Sequence, residues 1–305
     1  MGGWVPALNV LVAALSDSSY AIIVGALLAD RWLSALVQDH QASDVIEVSR
    51  VQLRRWVMTG LIVLISSQLV HPWFVASSMS GSTRFRETLA LVPTILTTRQ
   101  GGLWYANSVA LAIMVGAQLL LRRRAASTFI WIEVAGLCVL AATKAASSHA
   151  SEEGDFTLAE MCQFLHILGT SVWAGSIIVS GIVVVPRLAA LEGASTLWTY
   201  GSHLSKTVTW ALGILVLSGL YVAWCDMHGA ASVLWISPWG RTLLAKVAFV
   251  AVAALLGSLT RFRCLGRPAT SRRAITMTQL LRSEAAVMLA ILCISGLLAN
   301  SSPNA

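Results

Sequence analysis

The chain has 305 residues, 56% of them hydrophobic and only 11% charged, with a mean hydropathy of +0.74. That is too apolar for an ordinary soluble domain and leaves little sequence for a separate water-soluble catalytic unit. The net charge of +7 would suit nucleic acid, but the basic residues fall in alternate loops, as membrane topology requires, so no nucleic-acid partner is expected.

A bilayer core about 30 Å thick takes roughly 20 apolar residues per helix. Eight stretches qualify, near 8–30, 56–77, 103–121, 128–147, 161–185, 207–226, 242–260 and 280–299. The first has no basic run ahead of it and is interrupted by Asp17, so it reads as a retained helix, not a cleaved signal peptide. Residues 34–54 read as an amphipathic extension on the inner surface that carries Arg50 and Arg54, with Arg55 directly after it. Residues 84–97 read as a short interfacial helix ending near Pro93.

Further along, Arg122, Arg123 and Arg124 separate the third and fourth stretches, and Arg187 and Lys206 the fifth and sixth. Five arginines, from Arg261 to Arg273, separate the seventh and eighth, while the 148–160 loop is acidic. Lys and Arg collect on the cytoplasmic side, so both termini are expected to face the periplasm. Trp4, Trp73, Trp104, Trp235 and Trp239 fall at outer boundaries and read as interfacial anchors.

The expected fold is therefore all-α: a polytopic membrane helix bundle of eight transmembrane helices in one integrated domain. Residues 1–127 hold three helices and the inner loop; residues 128–305 hold the other five. The run GLIVLISSQLV at 60–70 resembles LGILVLSGLYV at 212–222, and Glu133 and Glu284 occupy matching places. Two four-helix halves in the same orientation are expected, related by an axis along the membrane normal.

The residues that carry chemistry gather near the expected outer side. His71, His149, His166 and His228 lie there with Met161, Cys162, Cys225 and Met227. Thiolate and thioether select Cu(I), and imidazole serves both copper states. Cys162, His166, Gly169 and Trp173 follow a 4-3-4 spacing and share one helix face. The plainer alternative is a packed histidine and a packed cysteine, and a Cys162–Cys225 disulfide is open. His71 and His149 have helix capping and interfacial hydrogen bonding as alternatives. Asp17, Glu133, Glu284, Lys144 and Lys246 are intramembrane charges, which are costly and usually functional. Glu133 and Glu284 lie about a turn inside the cytoplasmic helix ends, and Lys144 and Lys246 near the outer ends, where long stems can snorkel as the plainer alternative. No CxxC, HExxH, GxSxG or phosphate-cradling glycine loop occurs, and enzyme activity is not expected.

At these residues the chain resembles the copper-resistance D (CopD/PcoD-type) family of bacterial inner-membrane proteins. The likeness rests on SSHA (147–150), FLHILGTSVWAGS (164–176), SPWGRTLLAK (237–246) and RSEAAVML (282–289). By position it singles out His149, His166, Trp173, Lys246 and Glu284. The family often has a second glycine where Ser176 stands, and an aspartate where Met161 and Cys162 stand. The resemblance implies copper import across the inner membrane, with a periplasmic copper-binding CopC-type protein as donor. The expected metal donors are His166 and His149, helped by Cys162, Met161 or His71. Trp173, Glu133, Glu284, Asp17 and Lys246 would line the path for the ion or for exchanged protons. Two other readings stand beside copper transport: a haem b cytochrome using His71, His149 and His166, and a copper-binding membrane partner that does not transport.

Overall fold

A computed structural model describes residues 4–36, 43–82, 84–121, 126–148, 151, 154–191, 195–227, 230–265 and 270–301. His149 and His228 lie outside these described residues. Among them there is no β-strand, and eight helices are long and apolar enough to cross a membrane. They are α1 (Trp4–Ala35), α2 (Ser43–Ser80), α3 (Arg99–Leu120), α4 (Thr128–Ala146), α5 (Leu158–Leu188), α6 (Ser195–Asp226), α7 (Pro238–Leu265) and α8 (Ser271–Ala299). The all-α expectation holds.

The helices run longer than their apolar stretches, because a helix needs only backbone hydrogen bonds to continue past the hydrocarbon. The basic extension before the second stretch is the start of α2 itself, which is helical from Ser43. Residues 84–97 form two short helices, Phe85–Leu89 and Val92–Leu96. Pro93 sits in the first turn of the second of these, where its missing N–H costs nothing. The Ser82 hydroxyl, and then Arg84, hold the carboxyl of Glu87, in the first of these helices, below the usual carboxylate range. Thr157 and Ser237 cap α5 and α7 by accepting from the N–H groups of Glu160 and Gly240.

The centre of the bundle is the crossing of α1 and α5. A Cβ built on Gly25 would stand 2.1 Å from the Gly175 carbonyl, and one on Gly175 only 1.8 Å from the Ala21 oxygen. Lipid tails are as apolar as Leu, so spanning helices associate by close packing, and small residues four apart let the backbones touch. Ala21 and Gly25 on α1, with Ser171 and Gly175 on α5, supply two such pairs.

Around this crossing the packing repeats. Helix α1 packs on α2 as α5 packs on α6, α3 on α4 as α7 on α8, and α1 on α8 as α5 on α4. This is the pattern that two like four-helix halves produce. The halves are not identical, and the clearest difference lies at the seam between the second and third helices of each. Reciprocal bonds tie α2 to α3, from the Gln68 amide to the Trp104 carbonyl (3.0 Å) and from the Trp104 indole to the Gln68 carbonyl (2.8 Å). Helix α6 meets α7 chiefly at the Arg261–Leu265 turn, where Arg261 donates to Thr209 (3.2 Å).

Asn9 donates to Asn300 (2.5 Å), so the first helix begins where the last one ends. Trp4 stacks on Trp73 at that end (6.1 Å between centroids). Trp4 and Trp235 are exposed, as anchors should be, whereas Trp239 is buried under the start of α7 and packs instead.

Candidate functional site

His166 sits about 12 Å into α5 at 1.5 Å per residue. Its ring lies over Gly219 of α6, where an added Cβ would come 2.8 Å from the ring carbon Cε1. Its Nδ1 is 3.3 Å from the Leu215 carbonyl. A carbonyl only accepts, so Nδ1 carries the proton and Nε2 keeps its lone pair. Metal-binding histidines are commonly oriented this way, with the far nitrogen fixed by a backbone oxygen. Gly169, one turn deeper, brings α6 close enough that a Cβ there would lie 3.2 Å from the Ala211 oxygen.

One turn above His166, Cys162 lies within electrostatic reach of Cys225 on α6. Both thiols are free. An imidazole with an open Nε2 and two thiols thus share the α5–α6 seam. Met161, adjacent in sequence, turns away and is 51% exposed, so the structure does not bring it to this seam. His71 is exposed on α2, and α2 reaches α5 through Ser180–Leu188, at the far end from His166. Among the described residues no three metal-donor side chains converge.

Beside His166 is a charged cluster. Asp17 of α1 forms an ion pair with Lys144 of α4. Lys246 of α7 lies within electrostatic reach of Asp17 and Lys144, and also of His166. Four helices therefore bring two lysines, one aspartate and one histidine together inside the spanning layer. A single charge at the centre of a spanning helix costs about 3 kcal/mol on insertion scales, so such groups are retained in pairs or for function. The sequence leaves Lys144 open to a snorkelling role, because the 127-residue gap to Asp17 hides its partner.

A second polar layer lies deeper. Trp173 is 1% exposed, and Glu133 and Glu284 are fully buried. The Glu284 carboxyl packs over Gly257 of α7, 3.2 Å from where a Cβ would be, and the Trp173 indole faces it. The geometry closes no ordinary hydrogen bond, so the Glu284 oxygens, the Trp173 Nε1 and the Ser176 hydroxyl are all buried without a partner. Each such group loses about 1–3 kcal/mol of desolvation energy, an arrangement that packing alone does not favour. Sequence position placed Glu284 a turn inside its helix, but α8 begins at Ser271, which sets the carboxyl about 20 Å along it. Glu133 lies on α4, the counterpart of α8 in the other half. Gly257 is not singled out by sequence, and Ser176 only as the place where the resembled family often has a second glycine. A further signal is position: Ser176 follows Trp173 at i+3.

A bundle with charges and unpartnered polar atoms in its spanning layer is a multi-pass membrane protein with a polar interior. Family models agree and say which kind. Copper resistance protein D-like, N-terminal domain, matches residues 4–158, and Copper resistance protein D matches residues 202–298. The chain belongs to the copper resistance protein D family and has a role in copper resistance and homeostasis. No curated protein and no solved structure matches it.

Proposed function

We propose that the chain carries copper across the bacterial inner membrane, inward from the periplasm, and performs no covalent chemistry. The observation that carries this reading is the seat of His166, whose Nδ1 is committed to the Leu215 carbonyl while Nε2 remains a donor below the Cys162 and Cys225 thiols. Thiolate with imidazole suits Cu(I). The concentration of arginine at the opposite end of the helices supports a periplasmic place for the His166 end. Copper would load there from a CopC-type periplasmic donor, with His149 as a further ligand, and pass along Trp173 to the Glu284 layer. Asp17, Lys246 and Glu133 would balance the charge of the ion or carry protons against it.

The test is Cu(I) binding to the purified chain, followed by copper uptake into proteoliposomes. Replacing His166 and His149 together with Ala is expected to weaken binding by at least tenfold and to abolish uptake. Unchanged binding would reject this ligand set. Binding without any uptake by the parent chain would make it a copper-holding membrane partner. A haem b centre is not favoured, because His71 and His166 do not face one another. A Soret band in the same sample that vanishes with His166 would reverse that judgement.

A further inference from the structure

Helix α2 carries a second feature that copper handling does not use. On its flank a shallow groove of about 530 Å³ is lined by Val51, Arg54, Arg55, Met58, Thr59 and Ile62. These positions follow a 3-and-4 spacing and so form one strip along the helix. Their order along the axis is the informative part. Apolar sequence in α2 begins at Trp56, so Arg54 and Arg55 stand at the edge of the hydrocarbon, with Met58 and Ile62 one and two turns further in. Ile62 is 60% exposed and Val51 39% exposed, which leaves the strip open to the lipid side.

The charges here are not neutralised from within. Arg50, one turn earlier, is paired with Asp30 (2.8 Å). Among the described residues no ion pair involves Arg54 or Arg55, and no carboxylate lines the groove. The Arg54 Nε is buried with no hydrogen-bond partner. That atom is closed off, so an arriving phosphate would meet the terminal guanidinium nitrogens, whose planar fork suits phosphate oxygens best.

We propose that this groove is a binding site for an anionic phospholipid. Arg54 and Arg55 clamp the phosphate, the Thr59 hydroxyl lies at the glycerol level, and one acyl chain runs along Met58 and Ile62. Phosphate above and hydrocarbon below is the order in which the groove presents guanidinium and then apolar side chains. The site belongs to the first half of the bundle and is independent of the copper reading, so either can fail alone.

The experiment is native mass spectrometry of the full chain released from nanodiscs containing phosphatidylglycerol and phosphatidylcholine. Thermal unfolding in detergent is followed with each lipid, and with inorganic phosphate, added back. Retention of phosphatidylglycerol over phosphatidylcholine, and a Tm raised by phosphatidylglycerol only, are expected. Arg54→Gln with Arg55→Gln should cut that preference about thirtyfold, and Arg55→Gln alone about fivefold. Arg55 is exposed, so the single variant keeps the test valid if the double variant does not fold. Equal retention of the two lipids, or a preference that survives both substitutions, overturns the proposal. Stabilisation by inorganic phosphate equal to that by the lipid makes it a free-phosphate site and also overturns it.

Discussion

His166 is held by what α6 lacks as much as by what it offers. Gly219 leaves room for the ring, and the Leu215 carbonyl, one turn away, receives its Nδ1 proton. Gly219→Ala is therefore expected to push the ring off its seat and weaken Cu(I) binding several-fold, with little change in Tm; competition with a Cu(I) chelator measures the first and thermal unfolding the second. A different balance governs Asp17, the carboxylate shared by Lys144 and Lys246. Asp17→Asn leaves two ammonium groups without a counter-charge inside the spanning layer. The expected loss is roughly 1–2 kcal/mol, moderated because the Lys144 side chain is 43% exposed. Asp17→Asn combined with Lys144→Met should recover most of it, since the double variant removes both charges of the pair; the comparison is made by unfolding in detergent. Cys162, His166 and Trp173 were legible from their spacing on α5. Gly219 and Leu215 were not, because nothing in their own stretch of sequence separates them from any other apolar helix.

The crossing of α1 and α5 is the element on which the other helices depend. Two backbones meet there with no side chain between them, so there is no space to give. Gly175→Ala is expected to force the helices apart and to cost about 3 kcal/mol or more, read as a lowered Tm and as loss of the monodisperse form in detergent. At Gly213, also a helical glycine, a Cβ meets nothing within 4 Å, and Gly213→Ala should be silent in the same assay. Sequence patterning found all eight helices but set their ends too far inward. Hydropathy marks where hydrocarbon begins, whereas capping by Thr157, Ser237 and Thr270 marks where the helix begins. That difference moved Glu284 from the edge of its helix to its middle.

Taken whole, the bundle has a thiol–imidazole seam at one end, a charged cluster beside it, and a buried carboxyl layer below, all gathered on α5. Transport and binding should therefore separate by mutation. Glu284→Gln is expected to leave Cu(I) binding at His166 within about twofold while reducing proteoliposome uptake at least tenfold, because the substituted group lies two turns deeper on the neighbouring helix; equal loss of both would make Glu284 a structural residue. The sequence alone determined that this is an eight-helix membrane protein, and its motifs pointed to the copper-resistance D family. Those properties depend on composition, on local periodicity and on short motifs read in order. Only the tertiary structure decided which side chains meet. It joined Lys144 to Asp17, brought Cys162 within electrostatic reach of Cys225, turned Met161 outward and kept His71 away from His166. Helix neighbours in a bilayer are chosen by close packing at a few small residues such as Gly25 and Gly175, and a run of apolar residues carries no mark of which other run will lie against it.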